Sequence, residues 1–483
     1  MSGRAHPFAD SVEARPKTGG SLSNMHSLVT VPMIARARSL HRGLRLLVLL
    51  TTLAGGLALG REESFPSAER FSTQAQMAGL RILSGRRLIL ATDRPARAGD
   101  GVEELCEIFD QAFATWCQHY GLDPEQTGDW RSLGCLVVDR ERFRAAGLLP
   151  DSIPPFVNGY CDRSRFWMAD QPNPDYRRHL LLHEGAHAFT LTLRGLDGPT
   201  WYTEGIAEYL ATHRLDDGRF VPTPIPLAPE DVEQLGRIEE LVRQAAAGEA
   251  PTLESVLSTP GEAHRRIADY AASWAVVAML INHPRYAPDF LRLERGPLDA
   301  TLTERLRSSA SWNELLAPRD FAAFVEDIDH GYDFARSSID WMDGQPLVAP
   351  AVVNVQAGKG WQNTGISITP GGAVSFEASG RCRIGQLNGK PIATEAGGIS
   401  LGWHRGRPLG RLLLAQWIDV DQGGSFVVLG EGAFGSIEPR TEGPLFVKLN
   451  EPPGELADGQ GSIRLSLAPV VDGSPIRRPQ PLR

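Results

Sequence analysis

A charged pentapeptide set inside an apolar stretch constrains this chain more than any other feature. His183-Glu184-Gly185-Ala186-His187 is flanked by Leu180, Leu181 and Leu182 on one side and by Ala188 and Phe189 on the other. The apolar flanks predict a buried helix, and buried polar groups must find partners or a metal. Helix positions i and i+4 share one face, about 6 Å apart. His183 and His187 can therefore converge on one zinc ion at bond lengths of roughly 2.0–2.1 Å. Glu184, beside the first histidine, is placed to accept a proton from water at an open coordination position.

Glu204 stands seventeen residues after His187, in a second informative stretch, Trp201-Tyr202-Thr203-Glu204-Gly205-Ile206-Ala207-Glu208-Tyr209. Catalytic zinc takes three protein ligands plus water, and Glu204 is the natural third ligand. Glu208 lies one helical turn later on the same face, where it can accept a hydrogen bond from the far nitrogen of a ligand histidine. The short 195–200 loop lets the second helix fold back along the first.

The pairing of His183 to His187 with W-x-x-E-G-x-A-E-Y resembles the gluzincin metallopeptidases, especially the aminopeptidase-like branch. The resemblance covers roughly residues 77–335 and is specific in its two motif segments. It implies His183, His187 and Glu204 as zinc ligands and Glu184 as base. It also implies an upstream edge strand that receives a peptide substrate, for which Phe166-Trp167-Met168 is the local candidate. A tyrosine that stabilises the oxyanion opens a helix of the form Y-x-x-G-x-x-V-x-x-M-L in that branch. Tyr270 stands in the matching stretch, with Ser273 in place of the glycine. Tyr202 and His264 are weaker candidates. The G-x-M-E-N motif that grips a substrate amine is absent, so the resemblance leaves endopeptidase and exopeptidase action equally open.

Upstream of the motif, 87–92, 135–138 and 165–168 read as strands, and Val102, Leu105, Phe109, Phe113, Trp116 and Tyr120 give one helical apolar face. From Asp175 to about His330 the pattern is mostly helical. Near Asp343 glycine becomes frequent and short alternating runs replace helical periods, so 353–469 reads as an all-β sandwich of eight strands. Trp361-Gln362-Asn363-Thr364-Gly365-Ile366, the 371–380 segment and the 449–462 loop are similar to galactophilic-lectin-like domains, over roughly 350–470. That resemblance implies a calcium ion bound through Glu451 and Asp458, and contact with a glycan or cell surface.

The N-terminus carries an address. Arg36, Arg38, Arg42 and Arg45 precede the apolar run Leu46–Leu59, and small residues follow at Ala58-Leu59-Gly60. This is the pattern of a secretory signal peptide, with Met33 as an alternative start. It predicts a secreted or periplasmic protein, or a membrane-anchored one if the segment is not cleaved. Net charge of -9 argues against nucleic acid as a partner. With lysines only at 17, 359, 390 and 448, no Schiff-base or P-loop lysine lies between 18 and 358. Of the five cysteines, Cys135 and Cys161 sit near strand ends where they can pair.

These readings combine into an α+β chain. Residues 1–60 form an N-terminal extension and signal peptide, and 61–76 a linker. A zincin-like domain, a small sheet with a mostly helical remainder, spans 77–342. The lectin-like β-sandwich spans 350–470, and 471–483 form a disordered tail. The expected function is zinc-dependent hydrolysis of peptide bonds in a peptide or protein substrate. The alternative is a surface-binding protein whose sandwich binds glycan or matrix and whose zincin domain is a pseudo-enzyme.

Overall fold

Five short strands between residues 81 and 169 form one mixed sheet in the computed structural model, which describes residues 67–470 apart from 233–235, 261–265, 388 and 422. The signal-like segment, residues 61–66 and the tail from 471 lie outside the described residues. The strands are β1 (Arg81–Ser84), β2 (Leu88–Thr92), β3 (Ser132–Val137), β4 (Gly159–Asp162) and β5 (Arg165–Ala169). Their spatial order is β1-β2-β3-β5-β4. β2, β3 and β5 run parallel, while β1 and β4 lie antiparallel at the two edges.

Both faces of this sheet are covered, which is why its central strands read as unbroken apolar runs. Helices α1 (Ala68–Met77) and α3 (Arg140–Ala145) lie on one face, where Phe71, Ala75 and Phe143 meet Ile89, Ala91, Cys135 and Trp167. Helices α2 (Leu105–Tyr120) and α4 (Pro174–Leu193) cover the other, where Phe109, Phe113 and Trp116 meet Leu88, Leu90, Phe166 and Met168. The stretch expected to be a linker thus becomes a helix from Ala68. Phe71 and Ala75 share its buried face, Ser67 caps it by accepting from the Arg70 amide, and Glu69, Arg70, Thr73 and Gln76 form the exposed side that reads as linker.

The remainder is mainly helical: α5 (Thr200–Ala211), a hairpin of β6 (His213–Asp216) and β7 (Arg219–Pro222), then α6 (Arg237–Ala247), α7 (Leu253–Leu257), α8 (Ile267–Asn282), α9 (Ala287–Glu294), α10 (Leu302–Arg307), α11 (Leu316–Asp327) and α12 (Phe334–Ser337). Among the described residues no helix is long and apolar enough to cross a membrane.

The C-terminal part is β-rich, as its alternating pattern predicts, with more strands than the eight expected. From β8 (Gln345–Pro346) the strands run β9 (Ala351–Gln356), β10 (Gln362–Ile368), β11 (Val374–Ser379), β12 (Cys382–Leu387), β13 (Lys390–Thr394), β14 (Gly397–His404), β15 (Arg407–Val420), β16 (Gly423–Glu431), β17 (Phe434–Ile437), β18 (Gly443–Leu449) and β19 (Ser462–Pro469). One sheet is ordered β14-β15-β18-β10-β8, with β16 also on β15. The second is ordered β17-β11-β19-β9. Leu412, Leu414, Val447 and Leu449 of the first pack against Phe376, Ile463, Leu465 and Leu467 of the second.

The outer face of the first sheet is also apolar. Leu413, Ala415, Trp417, Phe426 and Phe446 join Trp341, Trp361 and Ala323 of α11 in a separate core. The alternation along β15 therefore buries both faces, one on the sandwich and one on the helical part. Polar groups close this contact. Lys448 Nζ donates to both carboxylate oxygens of Asp327 at 2.9 and 3.0 Å, and the Phe426 amide donates to Glu326 at 3.1 Å. All described residues lie in one compact unit.

Candidate metal centre

Asn173 starts α4 by accepting from the Tyr176 amide, with Pro174 in the first turn. Packed between α2, the sheet and α5, the helix is buried on nearly every side from Leu180 to Thr190. Gly205 lets α5 and α8 approach closely, since a β-carbon there would lie 2.4 Å from the Ser273 carbonyl oxygen. This close packing fixes the depth at which α5 presents Glu204.

The spacing-derived donors come together. His183 Nε2 and His187 Nε2 lie 3.1 Å apart, and Glu204 Oε2 lies 3.5 Å from the first and 3.3 Å from the second. A tetrahedral ion with bonds of about 2.0–2.1 Å sets its ligand atoms roughly 3.3–3.4 Å apart. The circle through the three observed atoms has a radius of about 1.9 Å, close to the length of a zinc–ligand bond. The donor set and its geometry fit zinc.

Charge points the same way. Burial works against a charged imidazole at His183, but Glu204 and Glu208 outweigh it and hold the group up at about 10. Burial likewise opposes the charge on Glu204, yet His187 and His183 hold its carboxyl well below the usual carboxylate range. Glu184, Glu204 and Glu208 bring three carboxylates around His183 and His187, while Arg237 pairs with Glu208, an excess that suits a divalent cation.

Glu208 lies where the spacing suggested. Its Oε1 is 3.1 Å from His183 Nδ1, off the line of a well-aligned N–H bond. Its Oε2 is 3.2 Å from His179 Nε2. Glu204 faces His183 and His187 while Glu208 faces His179 and His183, so α5 runs antiparallel to α4. His179, His183 and Glu208 form a second group at metal-ligand separations. Arg237 occupies both oxygens of Glu208 at 2.8 and 3.0 Å. A cation in that group would face a fixed guanidinium, so the first group is the better site.

Glu184 is buried beside the donors, and burial raises its carboxyl above the ordinary range, the direction a general base needs. Its carboxylate rests against Gly159 of β4, where a β-carbon would fall 2.2 Å from Oε1. Tyr270 packs its ring 5.9 Å from the His183 ring, and burial with Glu204 and Glu184 keeps its phenol protonated. Tyr176 joins this polar group. Burial raises its phenol, and the Arg237, Glu208 and Glu184 charges act on it. Tyr202 points elsewhere, donating to Glu294 at 2.9 Å with Tyr120 alongside. His264 lies outside the described residues.

Two expectations need correction, the edge strand and the Cys135–Cys161 pair. Phe166, Trp167 and Met168 are not an edge: β5 lies between β3 and β4, and all three side chains are buried. Their apolarity reflects an interior strand covered on both faces, and the edge beside the candidate centre is β4. Glu451 and Asp458, the calcium ligands that the lectin resemblance implies, both engage protein donors. Glu451 is buried with its oxygens 3.3–3.4 Å from the Gly385 and Gly358 amides, Asp458 accepts from Gln386, and among the described residues no ligand cluster includes either. Cys135 and Cys161 are free, because they face opposite sides of the sheet, Cys135 toward Phe143 and Cys161 toward the α2–α4 side.

Spacing missed four residues around the centre. His179 is one turn before His183, and an H-x-x-x-H-x-x-x-H reading finds it. Tyr176, Gly159 and Arg237 carry no such local signal.

No protein-family model matches the chain. No curated protein matches it. Among solved structures it is similar to the EclA N-terminal domain, a PllA-like lectin, at 19% identity, covering 26% of this chain and 98% of that one with a TM-score of 0.18. A likeness at that score carries no weight for fold or function.

Proposed function

We propose that this chain is an exported, zinc-dependent peptidase with a zincin-like catalytic part. The observation that carries the reading is the convergence of His183 Nε2, His187 Nε2 and Glu204 Oε2 within 3.1–3.5 Å, with the buried Glu184 carboxylate beside them. His183, His187 and Glu204 would hold the ion, which when bound would supply Lewis acidity toward a carbonyl and toward water. Glu184 takes the proton released when water attacks the scissile carbonyl, and passes it to the departing amine nitrogen. Its raised affinity for protons suits both transfers. The protonated Tyr270 phenol donates to the oxyanion that forms on the carbonyl oxygen. β4, an edge strand against Glu184 that pairs only with β5 among the described residues, offers backbone along which an extended peptide adds as a strand. Export rests on the basic-then-apolar N-terminal segment, and a glycan-binding role for the sandwich rests on its sequence resemblance.

Cleavage of casein or a peptide library tests the reading. Glu184→Gln keeps the size and hydrogen-bonding reach of the side chain but cannot accept the proton. It should retain zinc and lose at least about 10²-fold in kcat. Wild-type turnover in that variant would end the proposal.

A further inference from the structure

We propose that Arg237 is a positioning residue that decides which of two overlapping donor sets takes the metal, an inference that rests on the zinc-centre reading above. His183 belongs to both sets and offers one ring nitrogen to each. Nε2 faces His187 and Glu204, whereas Nδ1 faces Glu208. Each set holds two histidines and one carboxylate with ligand atoms within 4.8 Å of one another, so composition and spacing do not separate them.

Arg237 breaks the tie. It opens α6, and its side chain is only 13% exposed. Its Nη2 donates to Glu208 Oε1 at 2.8 Å and its Nε to Oε2 at 3.0 Å, the planar two-point pairing that arginine makes with a carboxylate. Both oxygens of Glu208 are thereby committed, and positive charge is fixed beside the His179 set. The held carboxylate keeps Oε1 3.1 Å from His183 Nδ1. That favours the tautomer with its proton on Nδ1 and its lone pair on Nε2, toward His187 and Glu204. The guanidinium carbon also lies 5.7 Å from the centre of the Tyr270 ring, so one side chain braces both the ligand histidine and the proposed oxyanion donor.

The test uses the full chain with Arg237→Met, Arg237→Lys, Glu208→Gln and the Arg237→Met/Glu208→Gln double variant. Zinc affinity is read by equilibrium competition with a chromophoric chelator, and ligand environment by the visible spectrum of the Co²⁺-substituted protein. Arg237→Met should weaken zinc binding about 10–100-fold and alter the cobalt spectrum as Glu208 is released. Arg237→Lys should recover part of the affinity, because it restores charge without the two-point pairing. In the Glu208→Gln background, Arg237→Met should cost less than about threefold more, since the two act as one unit. Wild-type affinity and spectrum in Arg237→Met, or independent effects in the double variant, would overturn the inference. If Arg237→Met does not fold, wild-type affinity in both Arg237→Lys and Glu208→Gln would overturn it equally. A wild-type chain that binds no zinc is a different failure, because it removes the metal centre itself.

Discussion

Gly159→Ala probes the proposed base without touching it. The backbone at Gly159 lies outside the left-handed region, so alanine adds no conformational strain. The new methyl carbon would fall 2.2 Å from Oε1, 2.6 Å from Cδ and 2.8 Å from Cγ of Glu184, and these are its nearest neighbours. Ordinary contact needs about 3.5 Å, so the carboxylate or the strand must retreat by about 1 Å or more. α4 holds the Glu184 backbone in a packed core, and β4 is an edge strand paired only with β5 among the described residues. Displacement by about 1 Å costs on the order of 10²-fold in rate, or roughly 2.7 kcal/mol of transition-state stabilisation. We therefore expect Gly159→Ala to lower kcat/KM for casein or a peptide substrate about 10²-fold while zinc content stays at the wild-type level. Wild-type kcat/KM in a folded, zinc-loaded Ala variant would refute the reasoning, because it would mean the Glu184 carboxylate need not stand where it does.

Other substitutions test separate links. Tyr270→Phe should reduce kcat by about 10²–10³-fold with zinc affinity unchanged, and an unaltered kcat would remove Tyr270 from the chemistry. Lys448→Ala should destabilise the chain by about 3 kcal/mol in urea unfolding, since it leaves the buried Asp327 carboxylate with Arg405, at 3.8 Å, as its remaining ion partner among the described residues. A loss below about 1 kcal/mol would show that this pair does little to hold the sandwich on α11. Burial raises the Glu326 carboxyl from 4.5 to about 7 in the fold. Between those values the native chain binds more protons than the unfolded one, so this group makes stability fall as pH rises. Glu326→Gln should therefore stabilise by up to about 3 kcal/mol at pH 8 and by much less at about pH 4, and an equal effect at both would contradict the assignment.

Local spacing made the donors legible, because i,i+4 geometry on one helix and a short return to the next leave few ways to arrange His183, His187, Glu204 and Glu208. What it could not supply were residues delivered by packing. Arg237 reaches Glu208 from α6, with 28 residues between them in sequence, and Gly159 meets Glu184 only because β4 folds onto the edge beside β5. The resemblance implies an edge strand upstream of the motif but does not say which strand lies outermost, and β4 rather than β5 does. An unbroken apolar run such as Phe166–Met168 marks a strand covered on both faces, whereas the mixed Gly159–Asp162 marks an edge. Helix α1 was hidden by its polar exposed side. The β-rich character after Asp343 was readable from alternation, but alternation cannot say what the outer face packs against. Trp341 and α11 answer that for Trp417 and Phe426.

The most direct measurement is a zinc-edge anomalous difference map from crystals of the full chain. It should show a peak about 2.0–2.1 Å from Nε2 of His183, Nε2 of His187 and Oε2 of Glu204. A peak on the Nδ1 side of His183 against Glu208, or no peak between α4 and α5 in crystals grown with zinc, would contradict the metal centre.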